Sequence, residues 1–159
     1  MSSSISQVTQ TTWLTFIRLT GRLTPLTESR ITIQVRSTEI DINGHVNNAK
    51  YLEYFEWGRE DLYECLDLPY TYLLSQDIIT VTVNININYR KEAIQNDSLT
   101  VISRPDKVGN TSFTMEQIII RDSDQAVIAD AYVTLVTVDA KSRNKITVPD
   151  LIRKHFQAS

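Results

Sequence analysis

From Ile79 to Arg90 the chain alternates without a break. Ile79, Val81, Val83, Ile85, Ile87 and Tyr89 are interleaved with Thr80, Thr82, Asn84, Asn86, Asn88 and Arg90. A period of two suits an extended strand, whose successive side chains point to opposite faces. The pattern predicts one long strand with an apolar face and a polar face. Such a strand needs neighbours, and the downstream text supplies them at Leu99–Ser103, Ser112–Arg121 and Ala126–Asp139. Arg121-Asp-Ser-Asp-Gln125 reads as a hairpin turn between the last two. Upstream, Ile31-Thr-Ile-Gln-Val35 alternates as well and reads as a fifth strand. Consecutive strands joined by short loops pair antiparallel.

Between the first strand and the long one the period changes to that of a helix. Ala49 to Leu66 places Leu52, Phe55, Leu62 and Leu66 on one side, with Asn47 and Asn48 as candidate N-caps and Leu68-Pro69 as the stop. Gly58 in its middle costs about 1 kcal/mol relative to Ala, so a close neighbour is expected to need the missing side chain. Val148-Pro149-Asp150 opens a short C-terminal helix. The order strand, helix, four strands predicts an α+β domain, an antiparallel sheet of about five strands with one long helix. One helix covers one face of such a sheet only partly, so a second subunit is expected.

Residues 1–30 differ from the rest, being rich in Ser and Thr and free of acid before Glu28. We read them as an N-terminal extension and 31–159 as the domain. They lack the basic start and unbroken apolar stretch of a secretory signal, so a cytoplasmic location is expected, with organellar import as the alternative. The balance of 16 Lys+Arg against 19 Asp+Glu argues against a nucleic-acid partner. No run approaches the roughly 20 apolar residues of a membrane span, so no membrane insertion is expected. A single cysteine, Cys65, excludes an intrachain disulfide and a Cys-rich zinc site. It reads as a buried thiol, since no base stands near it in sequence.

The chemistry concentrates in Glu39-Ile-Asp41-Ile-Asn43-Gly44-His45-Val-Asn47-Asn48, just before the helix. A carboxylate, an imidazole and three amides stand beside a helix N-terminus, whose free N–H groups carry partial positive charge and can hold an oxyanion. A carboxylate there can attack a carbonyl or act as base on water. The same residues also fit a capped loop, with Asp41 in an Asx turn, Gly44 at positive φ and Asn47 or Asn48 capping the helix. Glu39, Asp41, Asn43 and Gly44 match the early positions of a calcium loop, but Lys50 stands where that loop needs a bidentate Glu. Neither metal nor cofactor is expected.

Asp41-Ile-Asn-Gly44-His45-Val46-Asn-Asn-Ala-Lys-Tyr51 resembles the hotdog-fold acyl-thioesterases of the 4-hydroxybenzoyl-CoA thioesterase superfamily. Their hallmark runs Asp-x-x-Gly-(His/Val)-Val-x-x-x-x-Tyr before the long helix. The Asp-x-Asn-x-His-Val-Asn-Asn variant is also similar to plant-type acyl-ACP thioesterases, and Asn88-Tyr89 through Asp97 looks like the family's later strand-turn-strand text. The resemblance spans roughly residues 31–156. It implies a hotdog fold and hydrolysis of an acyl-CoA or acyl-carrier-protein thioester by a homodimer or homotetramer. Asp41 would be nucleophile or general base, and the backbone N–H of Asn48 would polarise the carbonyl. Asn43 and His45 would assist, and Gly44, Asn47 and Tyr51 would contact substrate. Glu53 and Glu56, which another hotdog branch would use, are read here as partners of Lys or Arg. Many bacterial members carry Tyr or His where this chain has Asn47-Asn48, which sets this chain apart.

Two alternatives follow from the same resemblance. Hotdog hydratases resemble Asp-x-Asn-Pro-x-His, whereas His45 lies four residues after Asp41 with no intervening Pro. A non-catalytic acyl-binding scaffold would have no use for Asp41.

Overall fold

The computed structural model describes residues 16–19, 22–25 and 28–158, with side chains from 28 to 156. Strands β1 (Phe16–Leu19) and β2 (Arg22–Pro25) pair with each other in a separate two-stranded sheet. Next come β3 (Ser29–Gln34), a 3-10 turn over Ser37–Glu39, α1 (Asn48–Cys65) and α2 (Tyr70–Ser75). The strands β4 (Ile78–Tyr89), β5 (Ser98–Val108), β6 (Ser112–Arg121) and β7 (Ala126–Asp139) follow, then α3 (Asp150–Arg153) and β8 (Gln157–Ala158).

The main sheet runs β3-β5-β6-β7-β4, antiparallel at every step, with β8 adding a short parallel pairing to β5. This is the antiparallel sheet of five principal strands expected from the alternation. Strands β3 and β4 flank α1 in the chain, yet they occupy opposite edges. The loop before α1 and the far end of β4 therefore meet at the helix N-terminus.

Asn47 caps α1, its side chain accepting the Ala49 N–H at 2.9 Å. The helix buries Tyr51, Tyr54, Phe55, Gly58, Arg59, Leu62 and Tyr63. Leu52, expected on the buried side, is 38% exposed, because Tyr51, Phe55, Gly58 and Leu62 form the stripe that faces the sheet. Cys65 is exposed, correcting the buried-thiol reading. It is the last residue of α1, where the following Leu66 is buried in its place.

Strand β4 departs from the single apolar face that its alternation predicts. A bulge interrupts its register with β7 between Thr82 and Asn84. On one side of it Thr80 accepts a hydrogen bond from Tyr63 of α1, and on the other Tyr89 reaches the carbonyl of Asn48 at the start of α1. Residues 80 and 89 have opposite parity, so unbroken alternation would put them on opposite faces. The extra residue shifts the phase and lets both halves address the helix. Val81 and Val83 are left 40% and 54% exposed.

Strand β5 runs on through Pro105 because β3 pairs only as far as Ser103 and a bulge against β6 lies at Pro105/Lys107. Pro149 is the N-cap of α3. No helix among the described residues is long and apolar enough to cross a membrane.

Candidate active site

The loop from Ile40 to Val46 closes on itself as a bridge between those two residues. Asp41 N–H donates to the His45 carbonyl at 2.9 Å, and Gly44 N–H donates to the Asp41 carbonyl at 3.0 Å. Asp41 Oδ1 accepts the Asn43 N–H at 2.8 Å, an Asx turn. Gly44 has φ +85° with nothing near the position of a Cβ, so its role is conformational. The loop is anchored from outside as well: Val46 N–H reaches the Ala93 carbonyl and Asn47 N–H reaches the Glu39 carbonyl. The capped-loop reading of these residues thus describes the local structure, and it is what holds the Asp41 carboxylate in place.

One oxygen of that carboxylate is taken by the turn. The other, Oδ2, lies 3.7 Å from His45 Nδ1. The Asp41 side chain is only 18% exposed, against 36% for His45.

At the helix start, the Ala49 amide is used by the Asn47 side chain and the Lys50 amide by the Asn47 carbonyl. Asn48 N–H is left as the first-turn donor without a partner among the described residues. It also stands at the positive end of an 18-residue helix.

Asp41, Asn43, His45, Asn48 and Tyr51 line one cavity of about 490 Å³, together with Val46, Tyr89, Arg90, Lys91 and Glu92. Five of the seven residues singled out in the sequence are therefore brought together. Gly44 and Asn47 do not line the cavity and instead shape the loop and cap the helix. Glu53 accepts Lys50 Nζ at 2.8 Å, as the ion-pair reading expected, and Glu56 is exposed.

The Tyr89–Glu92 wall was not picked out by sequence reasoning. Its signal was the basic doublet Arg90-Lys91 at the end of the longest alternating run. Arg90 is held by Asp130, which raises the guanidinium pKa and lowers that of the carboxyl through their hydrogen bond. Tyr51 is buried against Tyr89 and Tyr54, with ring centroids 5.4 and 6.0 Å away. That burial raises its phenol pKa and keeps it neutral.

A family model for the thioesterase-like superfamily matches residues 35–156. The chain is 35% identical over 125 residues to the long-chain acyl-CoA thioesterase FadM of Escherichia coli K12, covering 79% of this chain and 94% of that one. The crystal structure of YbaW from Escherichia coli superposes with a TM-score of 0.71 at 30% identity, covering 80% of this chain and 98% of that one. Slr0204, a 1,4-dihydroxy-2-naphthoyl-CoA thioesterase from Synechocystis, shares the fold at a TM-score of 0.73 and 18% identity, over 81% of this chain and 95% of that one. The cavity-lining loop from Asp41 to Val46 and the helix it opens into both fall inside the matched region, and the chain belongs to the thioesterase-like superfamily.

Proposed function

We propose that the protein hydrolyses acyl-CoA thioesters to free acid and thiol. The observation that carries this is the pairing, in one cavity, of the Asp41 carboxylate with the unpartnered Asn48 N–H. An acyl transfer to water needs those two parts, an attacking group or base and a donor for the carbonyl oxygen as it gains charge.

Asp41 uses Oδ2 either to take a proton from a water that attacks the carbonyl, or to attack the carbonyl itself and form an acyl–aspartyl anhydride that water then hydrolyses to the acid and free Asp41. A new C–O bond forms at the carbonyl carbon and the C–S bond breaks. The leaving thiolate takes up a proton from solvent. Asn48 N–H holds the oxyanion, with the helix N-terminus adding its field. His45 and Asn43 orient the carboxylate, and Tyr51 lies against the acyl group. Lys91, exposed at the rim, meets the phosphates of CoA. The relative at 35% identity acts on long-chain acyl-CoA, which supports an aliphatic acyl group here.

The working unit in this reading is a homodimer joined along β4. That strand is 12 residues long and pairs only with β7 among the described residues. It presents exposed Val81 and Val83, an arrangement that invites a second copy. Ile42, fully exposed between Asp41 and Asn43, is a further apolar contact for the partner. Residues 31–159 make up the catalytic domain in this reading and residues 1–30 an extension, although β3 already begins at Ser29.

The test is release of CoA thiol from a series of saturated and aryl acyl-CoA substrates. Hydrolysis that is fastest with aliphatic chains supports the reading. Thiol release no faster than the buffer blank across the series overturns it.

A further inference from the structure

We infer that Tyr89 is a positioning residue for the reaction, acting on the oxyanion donor through the first peptide of α1; this rests on the thioesterase reading above. Tyr89 stands at the last position of β4, and its hydroxyl donates to the carbonyl oxygen of Asn48 at 3.1 Å. That carbonyl belongs to the peptide joining Asn48 to Ala49. The N–H of the same peptide is held by the Asn47 side chain at 2.9 Å. One peptide unit is thus clamped at both ends, by a cap from the loop and by a phenol from the sheet edge.

The clamp matters because of what lies next to it. Rotation about ψ of Asn48 turns the Asn48–Ala49 peptide relative to the Asn48 N–H, the donor left free in the first turn among the described residues, so holding that peptide fixes the direction of the N–H against the helix. In an uncapped helix the first turn frays readily, since its N–H groups have no intrahelical partner. Here the phenol ties that turn to a strand paired with β7 along almost its whole length. The ring is itself fixed edge-on against Tyr51, with centroids 5.4 Å apart and planes at 68°. Tyr51 is 4% exposed and does not move freely. The reference for the oxyanion donor is therefore the sheet, and not only the helix. Preorganised donors stabilise charge because they need not reorient during reaction, so loss of the tether acts on kcat more than on KM.

The test is Tyr89→Phe in the full chain, which keeps the ring contact and removes the hydroxyl. Steady-state hydrolysis of a long-chain acyl-CoA is measured beside Asp41→Ala, Asn47→Ala and the Tyr89→Phe/Asn47→Ala double variant, with thermal melts of each. We expect a kcat about tenfold lower, a KM within twofold of wild type and an unchanged melting temperature. We also expect the two clamp substitutions to combine by less than the product of their effects, since both act on one peptide. A KM increase at constant kcat would make Tyr89 a substrate contact and overturn the proposal, as would an unchanged kcat while Asp41→Ala is inactive. Full activity of Asp41→Ala would instead overturn the underlying reading.

Discussion

A Cβ placed on Gly58 would stand 2.6 Å from the Oγ of Ser103, with a Val101 methyl at 2.8 Å. Helix α1 thus touches the sheet at its backbone, and Ser29 Oγ adds a hydrogen bond to the Gly58 carbonyl at 3.1 Å. Gly58→Ala would gain about 1 kcal/mol of helix propensity. It would also overpack a site whose neighbours are fully buried, at a cost of about 1–3 kcal/mol. We predict a net loss of stability, seen as a melting temperature lowered by several degrees. A variant that melts at or above wild type would contradict this packing.

Gln117 lies in the same layer and is fully buried. Its amide donates to the Phe55 carbonyl and to Ser103 Oγ, while its oxygen accepts Arg59 Nη1 at 3.0 Å. Arg59 is itself buried and makes no ion pair among the described residues, and its burial lowers the guanidinium pKa. Gln117→Leu is predicted to destabilise by about 1–3 kcal/mol, because it removes the hydrogen-bond acceptor of a buried cation. Adding Arg59→Met should recover most of that loss in urea unfolding. Equal stability of the single and double variants would show that Arg59 is not the source of the cost.

These two contacts mark the limit of what was legible in the sequence. The helix and the principal strands were readable because each rests on local periodicity, and a close neighbour at Gly58 was readable because glycine costs helix stability. The partner of Gly58 was not readable, since Ser103 is brought near by the sheet order alone. The phase shift in β4 was hidden because the alternation of residue types runs unbroken through Thr82, Val83 and Asn84. Helix α2 was missed because six residues are too few to show a helical period. In the candidate site, Asp41 to Asn48 were legible as one continuous motif. Tyr89 and Lys91 were not, because they reach the cavity only when β4 crosses to the far edge of the sheet.

The exposed edge of β4 predicts an association that charge can break. Val81→Glu together with Val83→Glu should convert a dimer to a monomer in light scattering and lower thioesterase activity with it. A wild-type chain that runs as an active monomer would remove the basis for this interface.

His155 carries a buried Nε2 with no hydrogen-bond partner. Burial, reinforced by Lys154 and opposed by Asp67, lowers its pKa below the ordinary 6.5. The folded chain therefore binds this proton more weakly than the unfolded one. Its stabilising effect is complete above about pH 6.5 and is lost as pH falls from there through the folded pKa. We predict that wild type loses more melting temperature between pH 7 and pH 5 than His155→Leu does. Parallel losses would show that His155 does not contribute to the acid sensitivity.

Asp41 is the group that acts on the thioester in the proposed hydrolysis. The most direct measurement is kcat/KM of Asp41→Asn for a long-chain acyl-CoA, with circular dichroism to confirm the fold. Asn keeps the acceptor oxygen for the Asn43 N–H and removes the charge, so the loop is retained. A drop of about 10²–10⁴-fold, the usual contribution of a positioned acid or base, is the predicted result. Hydrolysis within a few-fold of wild type would contradict the account.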